Sequence, residues 1–167
     1  MKYSLWLMPT GELSASLTEI IEDLSRDRPE LRFEPHVTLL GGLSGSEPEL
    51  SSKTREVASV IEPYQIWLDK VDYLDEFFRS LFIRVEPTRP VLEAGRKARL
   101  IFQRQQEAGY LPHLSLMYGD LPPPTKEQII SRIGREFQRQ FEVYTIYLYA
   151  TEGEPKYWHR VEEFPLQ

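Results

Sequence analysis

The chain carries the same eight-residue pattern twice, and this repeat limits its fold more than any other feature of the sequence. Residues 33–40 read FEPHVTLL, and residues 110–117 read YLPHLSLM. Both copies follow the frame aromatic-x-Pro-His-aliphatic-hydroxyl-Leu, and glycine comes soon after each copy. Such a repeat indicates an internal duplication, with one copy of the pattern in each half.

The segments around the two copies occur in the same order in each half. Apolar spacing and glycine or proline breaks predict a strand, a helix, the motif strand, a turn, a helix and a further strand. The predicted strands are 3–8, 33–40, 64–74, 79–86, 110–118, 141–151 and 157–164, and the predicted helices are 13–24, 46–60, 91–109 and 125–139. Ser46 with Glu49, and Thr125 with Gln128, have the form of capping boxes that begin two of these helices.

Two copies are too few for a solenoid, but they fit one α+β domain. We expect this domain to span residues 1–167, with duplicated halves of about 1–75 and 76–167. The two lobes would pack about a pseudo-twofold axis with their helices outside, so that the motif strands meet at the centre.

Side chains alternate across a strand, and this rule divides each motif into two faces. His36 and Thr38 share one face of the first motif, while Val37 and Leu39 share the other. The second motif divides in the same way. The apolar face can therefore anchor each strand against helices while an imidazole and a hydroxyl point into a common cleft.

Phosphate-ester hydrolysis gives this polar face a purpose. A neutral imidazole can deprotonate water, an imidazolium can protonate the departing oxygen, and hydroxyls can donate hydrogen bonds to the phosphate oxygens. The pairs His36/Thr38 and His113/Ser115 supply these groups without a metal ion. The alternative is that both histidines are core residues hydrogen-bonded by their neighbours, and the shared frame argues against that interpretation.

Composition narrows the possible partners and locations. Twenty basic and 26 acidic residues give a net charge of −6, which disfavours a stable complex with long nucleic acids. The chain has no cysteine, and no stretch approaches the roughly 18 apolar residues of a membrane span. We therefore expect a cytoplasmic protein that is not associated with a membrane. We also expect it to be a monomer and to bind a small molecule.

The two motifs also resemble those of a known family. HVTL at 36–39 and HLSL at 113–116 are similar to the twin H-x-[T/S]-x signatures of the 2H phosphoesterases, with a spacing that spans nearly the whole chain. The cyclic phosphodiesterase branch is the most similar, because it shares the YSLW of residues 3–6, the Phe33-x-Pro35 before the first motif and Tyr118 after the second.

This resemblance implies a bilobal fold with two pseudo-symmetric antiparallel sheets, outer helices and a central cleft. It implies metal-independent hydrolysis, without a cofactor, of ADP-ribose 1″,2″-cyclic phosphate, which tRNA splicing leaves, or of nucleoside 2′,3′-cyclic phosphates. His36 and His113 would be the acid/base pair, and Thr38 and Ser115 would hold the phosphate. In the family's mechanism the second-motif histidine activates water, and the first protonates the leaving 2′ oxygen.

Other residues near the motifs have two possible roles each. Trp6 is either a core residue or a wall of the cleft against which a base or ribose packs. Alternation places Tyr118 away from His113, but the resemblance favours a hydroxyl that a twist or bulge turns towards the phosphate. Gly41 stands at the matching offset after the first motif, so we expect that half of the site to be more open.

Three further residues are less informative. His159 lacks a following hydroxyl and has the character of a surface or edge-strand residue. Arg79 and Arg84 lie on a predicted strand, where one of them could supply positive charge to the cleft, although solvent-exposed arginines are commoner.

Two alternative functions remain open from the sequence. The same histidine pairs would serve a phosphodiesterase that acts on RNA ends or 2′,5′-linked oligonucleotides. A non-catalytic nucleotide-binding module would also use the hydroxyls to hold a phosphate, although two complete motifs make that module the less attractive hypothesis.

Overall fold

Eight antiparallel strands form one continuous sheet in the computed structural model, which describes all of residues 1–167. The strands are β1 (Tyr3–Leu7), β2 (Val37–Leu43), β3 (Tyr64–Asp72), β4 (Leu81–Val85), β5 (His113–Met117), β6 (Glu136–Val143), β7 (Thr145–Ala150) and β8 (His159–Pro165). The helices are α1 (Gly11–Leu24), α2 (Glu47–Ser59), α3 (Arg89–Ile101) and α4 (Pro123–Ile133). The predicted α+β class is confirmed.

The sheet consists of two four-stranded lobes joined at its centre. The strand order is β6-β3-β4-β5-β2-β1-β7-β8, so the motif strands β2 and β5 are neighbours. The lobes pair through one pair of residues, Val37 with Leu114, which makes the two expected sheets a single sheet. The fold is therefore bilobal and pseudo-symmetric as predicted.

The two lobes do not coincide with the two halves of the sequence. β3 pairs with β4 and β6 in the second lobe, and β7 and β8 return to pair beside β1 in the first. The segment 141–151, predicted as one strand, is divided at Tyr144 between β6 and β7. The chain crosses from one lobe to the other at this point.

The apolar faces of the motif strands are buried as predicted. Val37, Leu39, Leu114 and Leu116 are all at most 1% exposed and belong to one hydrophobic cluster. Helix α3 contacts β2, and α1 contacts β5, so each motif strand packs against a helix of the other motif's βαβ segment. Burial of each such side chain stabilises the fold by about 1.5–3 kcal/mol.

Both motif strands begin later than predicted. β2 starts at Val37 instead of Phe33, and β5 starts at His113 instead of Tyr110. A proline precedes the histidine in each motif, and proline has no N–H to donate to a sheet ladder. His113 is therefore the first residue of β5, and His36 immediately precedes β2.

Three helix boundaries differ from the predictions because local breaks override the apolar spacing. Helix α3 ends at Ile101 instead of near residue 109, since Gln103 leaves the helix with a φ of 58°. Helix α4 begins at Pro123 without a side-chain cap, so the predicted Thr125 capping box is wrong. The same helix ends at Ile133, before Gly134 with a φ of 94°. In α2, by contrast, Ser46 accepts from the Glu49 N–H, which is one of the two bonds of the predicted capping box, while the Glu49 carboxylate accepts from Lys53.

None of the four helices is both long enough and apolar enough to cross a lipid bilayer.

Candidate active site

A cleft of about 650 Å³ lies where the two motif strands meet. All the residues that the sequence analysis singled out as catalytic or phosphate-binding line this cleft: Trp6, His36, Thr38, His113, Ser115 and Tyr118. The strand pairing explains the arrangement, because β2 and β5 are central neighbours and carry their polar faces on the same side of the sheet.

Each motif histidine is held by a carbonyl two residues before it. His36 Nδ1 lies 2.7 Å from the Glu34 carbonyl oxygen, and His113 Nδ1 lies 3.0 Å from that of Leu111. A carbonyl oxygen can only accept, so we assign the proton of each neutral ring to Nδ1. The other ring nitrogen, Nε2, is then unprotonated and free to accept a proton.

His159 has the same contact between its Nδ1 and a carbonyl two residues earlier, but it lies outside the cleft. His159 Nδ1 lies 3.1 Å from the Tyr157 oxygen, but this side chain is exposed and does not line the cleft. The structure thus places His159 on an edge strand, as predicted. A histidine tethered in this way becomes a candidate for catalysis only when its free nitrogen meets an enclosed polar site.

Burial keeps both cleft imidazoles neutral in the free protein. Burial lowers the pKa of His36 to about 3; the Glu34 carbonyl partly opposes this shift, and charge on His113 contributes to it. Burial likewise lowers the pKa of His113, and the neighbouring Arg79 charge adds to this effect. An anionic phosphate between the rings would act in the opposite direction and favour one bound proton.

Trp6 is the central ring of a stack that fixes His36. Its ring lies 3.5 Å from the His36 ring with an interplanar angle of 5°, and Tyr149 covers its other face at 3.8 Å. Tyr149 in turn donates a 2.7 Å hydrogen bond to the Glu34 carboxylate. Since protein rings cover both faces, Trp6 orients His36 and cannot provide the stacking surface for a base that the sequence suggested.

Tyr118 reaches the cleft despite the alternation of β5. The strand ends at Met117, so Tyr118 lies just beyond the regular pleat and lines the cleft. Its ring stacks on Phe33 at 4.1 Å, and its hydroxyl is within hydrogen-bonding reach of Ser115. Burial raises the pKa of the Tyr118 phenol, which therefore stays protonated and able to donate.

The opposite wall is made of glycine. Gly41 and Gly42 line the cleft on the first-motif side, with Gly41 at the offset where the second motif has Tyr118. A side-chain β-carbon at Gly41 would contact the Thr38 methyl at 3.5 Å. Pseudo-symmetry therefore fails here, and the first-motif side has the smaller residues.

Two aromatic residues of the cleft were missed by the sequence analysis. Phe78 is 57% exposed at the rim, and Trp158 lies on the other side near Trp6, with its indole N–H bonded to the Gly153 carbonyl. Both stand in connecting segments, where no periodicity assigns an aromatic ring to a site.

The two arginines on or near β4 have different surroundings. Arg79 lines the cleft and forms two hydrogen bonds, of 2.7 and 2.8 Å, with the Glu76 carboxylate. Arg84 is paired with Asp72 and lies outside the cleft. Arg79 is thus the one that brings positive charge to the site.

The loop between α3 and β5 fastens the second lobe to the first motif. The Tyr110 hydroxyl donates to the Thr38 carbonyl at 2.8 Å, and Arg104 donates to the Gly41 carbonyl at 3.2 Å. Gly95 makes room for this tyrosine, because a β-carbon there would lie 2.5 Å from the Tyr110 ring.

No group of three or more histidine, aspartate or glutamate side chains is arranged to hold a metal ion.

Comparisons with known proteins agree with this arrangement. The family described as cyclic phosphodiesterase-like protein matches residues 1–164. A cyclic phosphodiesterase of Arabidopsis thaliana is 28% identical over 125 residues, which cover 75% of this chain and 69% of the relative. A 2′,3′-cyclic-nucleotide 3′-phosphodiesterase of Phaeosphaeria nodorum is 30% identical over 139 residues, covering 71% and 69%.

Solved structures share the fold over nearly the whole chain. The Thermus thermophilus protein TT0787 has a TM-score of 0.72 at 20% identity, and the match covers 99% of this chain and 98% of that protein. Escherichia coli LigT in complex with 3′-AMP has a TM-score of 0.67 at 14% identity, with 99% and 97% covered. At these identities the likeness establishes the architecture.

Proposed function

The chain belongs to the cyclic phosphodiesterase-like protein family of 2H phosphoesterases and is therefore an enzyme, and we propose that it hydrolyses small cyclic nucleotide phosphates by His-His acid/base catalysis. The substrates in this proposal are nucleoside 2′,3′-cyclic phosphates and ADP-ribose 1″,2″-cyclic phosphate. The observation that carries it is the pair of tethered imidazoles, each with a free Nε2 and a neighbouring hydroxyl, in one cleft.

The proposed reaction needs one proton on the pair of imidazoles. His113 Nε2 takes a proton from water, and the resulting hydroxide attacks phosphorus. The bond from phosphorus to the leaving oxygen breaks as His36 Nε2–H gives that oxygen its proton. A buried imidazolium is a strong acid because burial disfavours its charge, and this supports His36 as the proton donor.

Hydroxyl groups would stabilise the charge that develops on the phosphate. Thr38 and Ser115 follow the two histidines at the same spacing, and Tyr118 adds a buried phenol that remains protonated. In the free protein the Ser115 hydroxyl donates to the Phe78 carbonyl at 3.3 Å, so it would turn to the phosphate when substrate binds. Donors that the protein holds in place stabilise a transition state more than bulk solvent does. Arg79, which is paired with Glu76, places a guanidinium at the rim.

The rim also suggests how the organic part of the substrate is held. Phe78 is exposed there, and its ring lies edge-on to Tyr118 at 5.2 Å. An exposed aromatic face beside a phosphate site fits a nucleobase, which gains about 1–3 kcal/mol by stacking. We assign this role to Phe78, since both faces of Trp6 are covered.

The names of the relatives refine which bond is cut. The Phaeosphaeria nodorum relative is a 3′-phosphodiesterase of 2′,3′-cyclic nucleotides. If this chain acts alike, water opens the 3′ ester, the leaving oxygen is the 3′ oxygen, and the product is a nucleoside 2′-phosphate. The resemblance described above implied instead that the 2′ oxygen leaves. For ADP-ribose 1″,2″-cyclic phosphate that expectation would stand, with the 2″ oxygen as the leaving oxygen.

Phosphorus NMR tests the proposal directly. The purified protein is incubated with 2′,3′-cyclic AMP in water containing a known fraction of H₂¹⁸O, with and without EDTA. We expect one new phosphomonoester signal, that of 2′-AMP, with the label on phosphorus and with a rate that EDTA leaves unchanged. Binding without any conversion would instead support the non-catalytic alternative, and 3′-AMP as product would overturn the bond assignment.

A further inference from the structure

A second cavity, of about 450 Å³, opens beside the cleft and shares His113 and Arg79 with it. The strand pairing shows why it exists. Trp6 is opposite Thr38 on β1, and Phe82 is opposite Ser115 on β4, so these two aromatic residues hold corresponding places in the two lobes.

The two corresponding rings fill their lobes differently. Trp6 lies flat on His36, with Tyr149 behind it, and this stack fills the space beside the first histidine. Phe82 instead meets His113 edge-on, at 5.3 Å and 65°. The space beside the second histidine is therefore open, and His113 stands between the cleft and the second cavity.

The lining of the second cavity combines three kinds of surface. Phe82, Pro87, Tyr110 and Leu111 provide apolar and aromatic contact, and Leu111 is 69% exposed. Arg79 stands at the junction with the cleft, and Arg84 adds a second guanidinium, which is paired with Asp72. Two carboxylates, Asp69 and Glu86, complete the lining.

These surfaces match the parts of a nucleotide. Apolar walls suit a base, and a guanidinium at the junction suits a phosphate that links two units. Carboxylates are acceptors, which ribose hydroxyls or an exocyclic amine can satisfy. The volume lies in the range of about 300–1,000 Å³ that is usual for small-molecule sites.

We propose that this cavity is a second subsite, which binds a nucleoside joined through a phosphate or pyrophosphate to the ribose that carries the cyclic phosphate. The subsite rests on the proposed function, because the cleft must first hold that cyclic phosphate. It would make phosphate-linked substrates better than mononucleotides. Two sources have this chemistry: the 2′,3′-cyclic end of an oligonucleotide, and ADP-ribose 1″,2″-cyclic phosphate.

The test compares kcat/KM for three substrates: 2′,3′-cyclic AMP, a dinucleotide with a 2′,3′-cyclic end, and ADP-ribose 1″,2″-cyclic phosphate. We expect at least one linked substrate to exceed 2′,3′-cyclic AMP by about tenfold, which corresponds to about 1.4 kcal/mol of additional binding free energy. The better linked substrate identifies the source.

Substitution of Arg84 tests whether the preference for linked substrates arises in the second cavity. In Arg84→Glu the preference for the linked substrate, measured as the ratio of its kcat/KM to that of 2′,3′-cyclic AMP, should fall at least fivefold, and in Arg84→Met by a smaller factor. The ratio is used because His113 is paired opposite Arg84, and any effect on this histidine changes both rates alike. Arg139→Glu makes the same charge change at an exposed position outside both cavities, so it should keep the preference.

Different failures have different meanings. Equal kcat/KM for all three substrates, or a preference that survives in Arg84→Glu, would overturn the subsite and leave the proposed function standing. If none of the three substrates is turned over, both the subsite and the proposed function would be overturned.

Discussion

The Tyr110 hydroxyl lies 2.8 Å from the Thr38 main-chain oxygen, and this hydrogen bond connects the two lobes beside the cleft. Tyr110 stands three residues before His113, so the bond ties the approach of the second motif to the first motif. Only the Val37 and Leu114 pair joins the lobes within the sheet. This tyrosine therefore contributes to the relative position of the two motifs, together with the Arg104 hydrogen bond to Gly41 and the helices packed on each motif strand.

Tyr110→Phe removes this bond and keeps the ring. The Thr38 carbonyl then loses a partner, which costs about 1 kcal/mol of folding free energy. We expect KM for 2′,3′-cyclic AMP to rise about threefold to tenfold, with a smaller change in kcat, because Thr38 would hold the phosphate in the bound substrate as well as in the transition state.

Tyr144→Phe is the matched control for this variant, because Tyr144 is 62% exposed and lies outside the cleft. Gly95→Ala should reproduce the defect of Tyr110→Phe, since its new methyl would displace the Tyr110 ring. Steady-state kinetics and urea unfolding measure both effects. Unchanged kinetics in both Tyr110→Phe and Gly95→Ala would refute the positioning role of the tyrosine.

The polar and apolar faces of the motifs could be predicted because they depend only on local alternation. Val37 and Leu114 are buried, and His36 and His113 line one cleft, as period-two patterning requires. The central position of both strands followed from their duplication. These features could be predicted without knowing which strands, distant in sequence, pair with each other.

Long-range pairing accounts for what the sequence could not predict. Nothing in the pattern of residues 64–72 distinguishes pairing with β4 and β6 from pairing in the first lobe. The stack of Trp6 on His36 also depends on the register between β1 and β2. Phe78 and Trp158 lie in connections, whose paths are set by tertiary contacts.

Removal of either motif histidine should abolish most of the activity. For His36→Ala and His113→Ala we expect kcat to fall by about 10²–10⁴-fold, the usual contribution of a general acid or base. His159→Ala should stay within twofold of the parent, because this histidine has the same backbone tether but lies outside the cleft. Rates measured on folded proteins, verified by circular dichroism, distinguish these cases.

The pH dependence of kcat/KM follows from the lowered pKa values of the two histidines. The reactive free enzyme carries one proton on the imidazole pair, and burial lowers the pKa of His36 to about 3 and that of His113 below its ordinary value. Above the ordinary histidine pKa of about 6.5, that form becomes scarcer by a factor of about ten per pH unit.

We therefore expect kcat/KM to decline about tenfold per unit between pH 7 and pH 9, while the cyclic phosphate stays a monoanion. The kcat profile should lie at higher pH, because the bound anion favours the protonated imidazole. Initial rates across this range provide the measurement. A kcat/KM that stays level up to pH 8 would contradict neutral histidines in the free enzyme.

Burial of His36 also predicts how stability depends on pH. The pKa of this histidine is about 3 in the folded protein and about 6.5 when unfolded, so between these values only the unfolded chain binds the proton. Stability is therefore full above pH 6.5 and is lost as the pH falls towards 3. Between pH 7.5 and pH 5 the loss from His36 is about 2 kcal/mol.

Urea unfolding at these two pH values measures the loss. The parent protein should lose about 2 kcal/mol more than His36→Gln, which cannot take up the proton. His159→Gln should behave as the parent does, because His159 is exposed. If His36→Gln and the parent lose equal stability, then His36 is not held as a buried neutral imidazole in the folded protein.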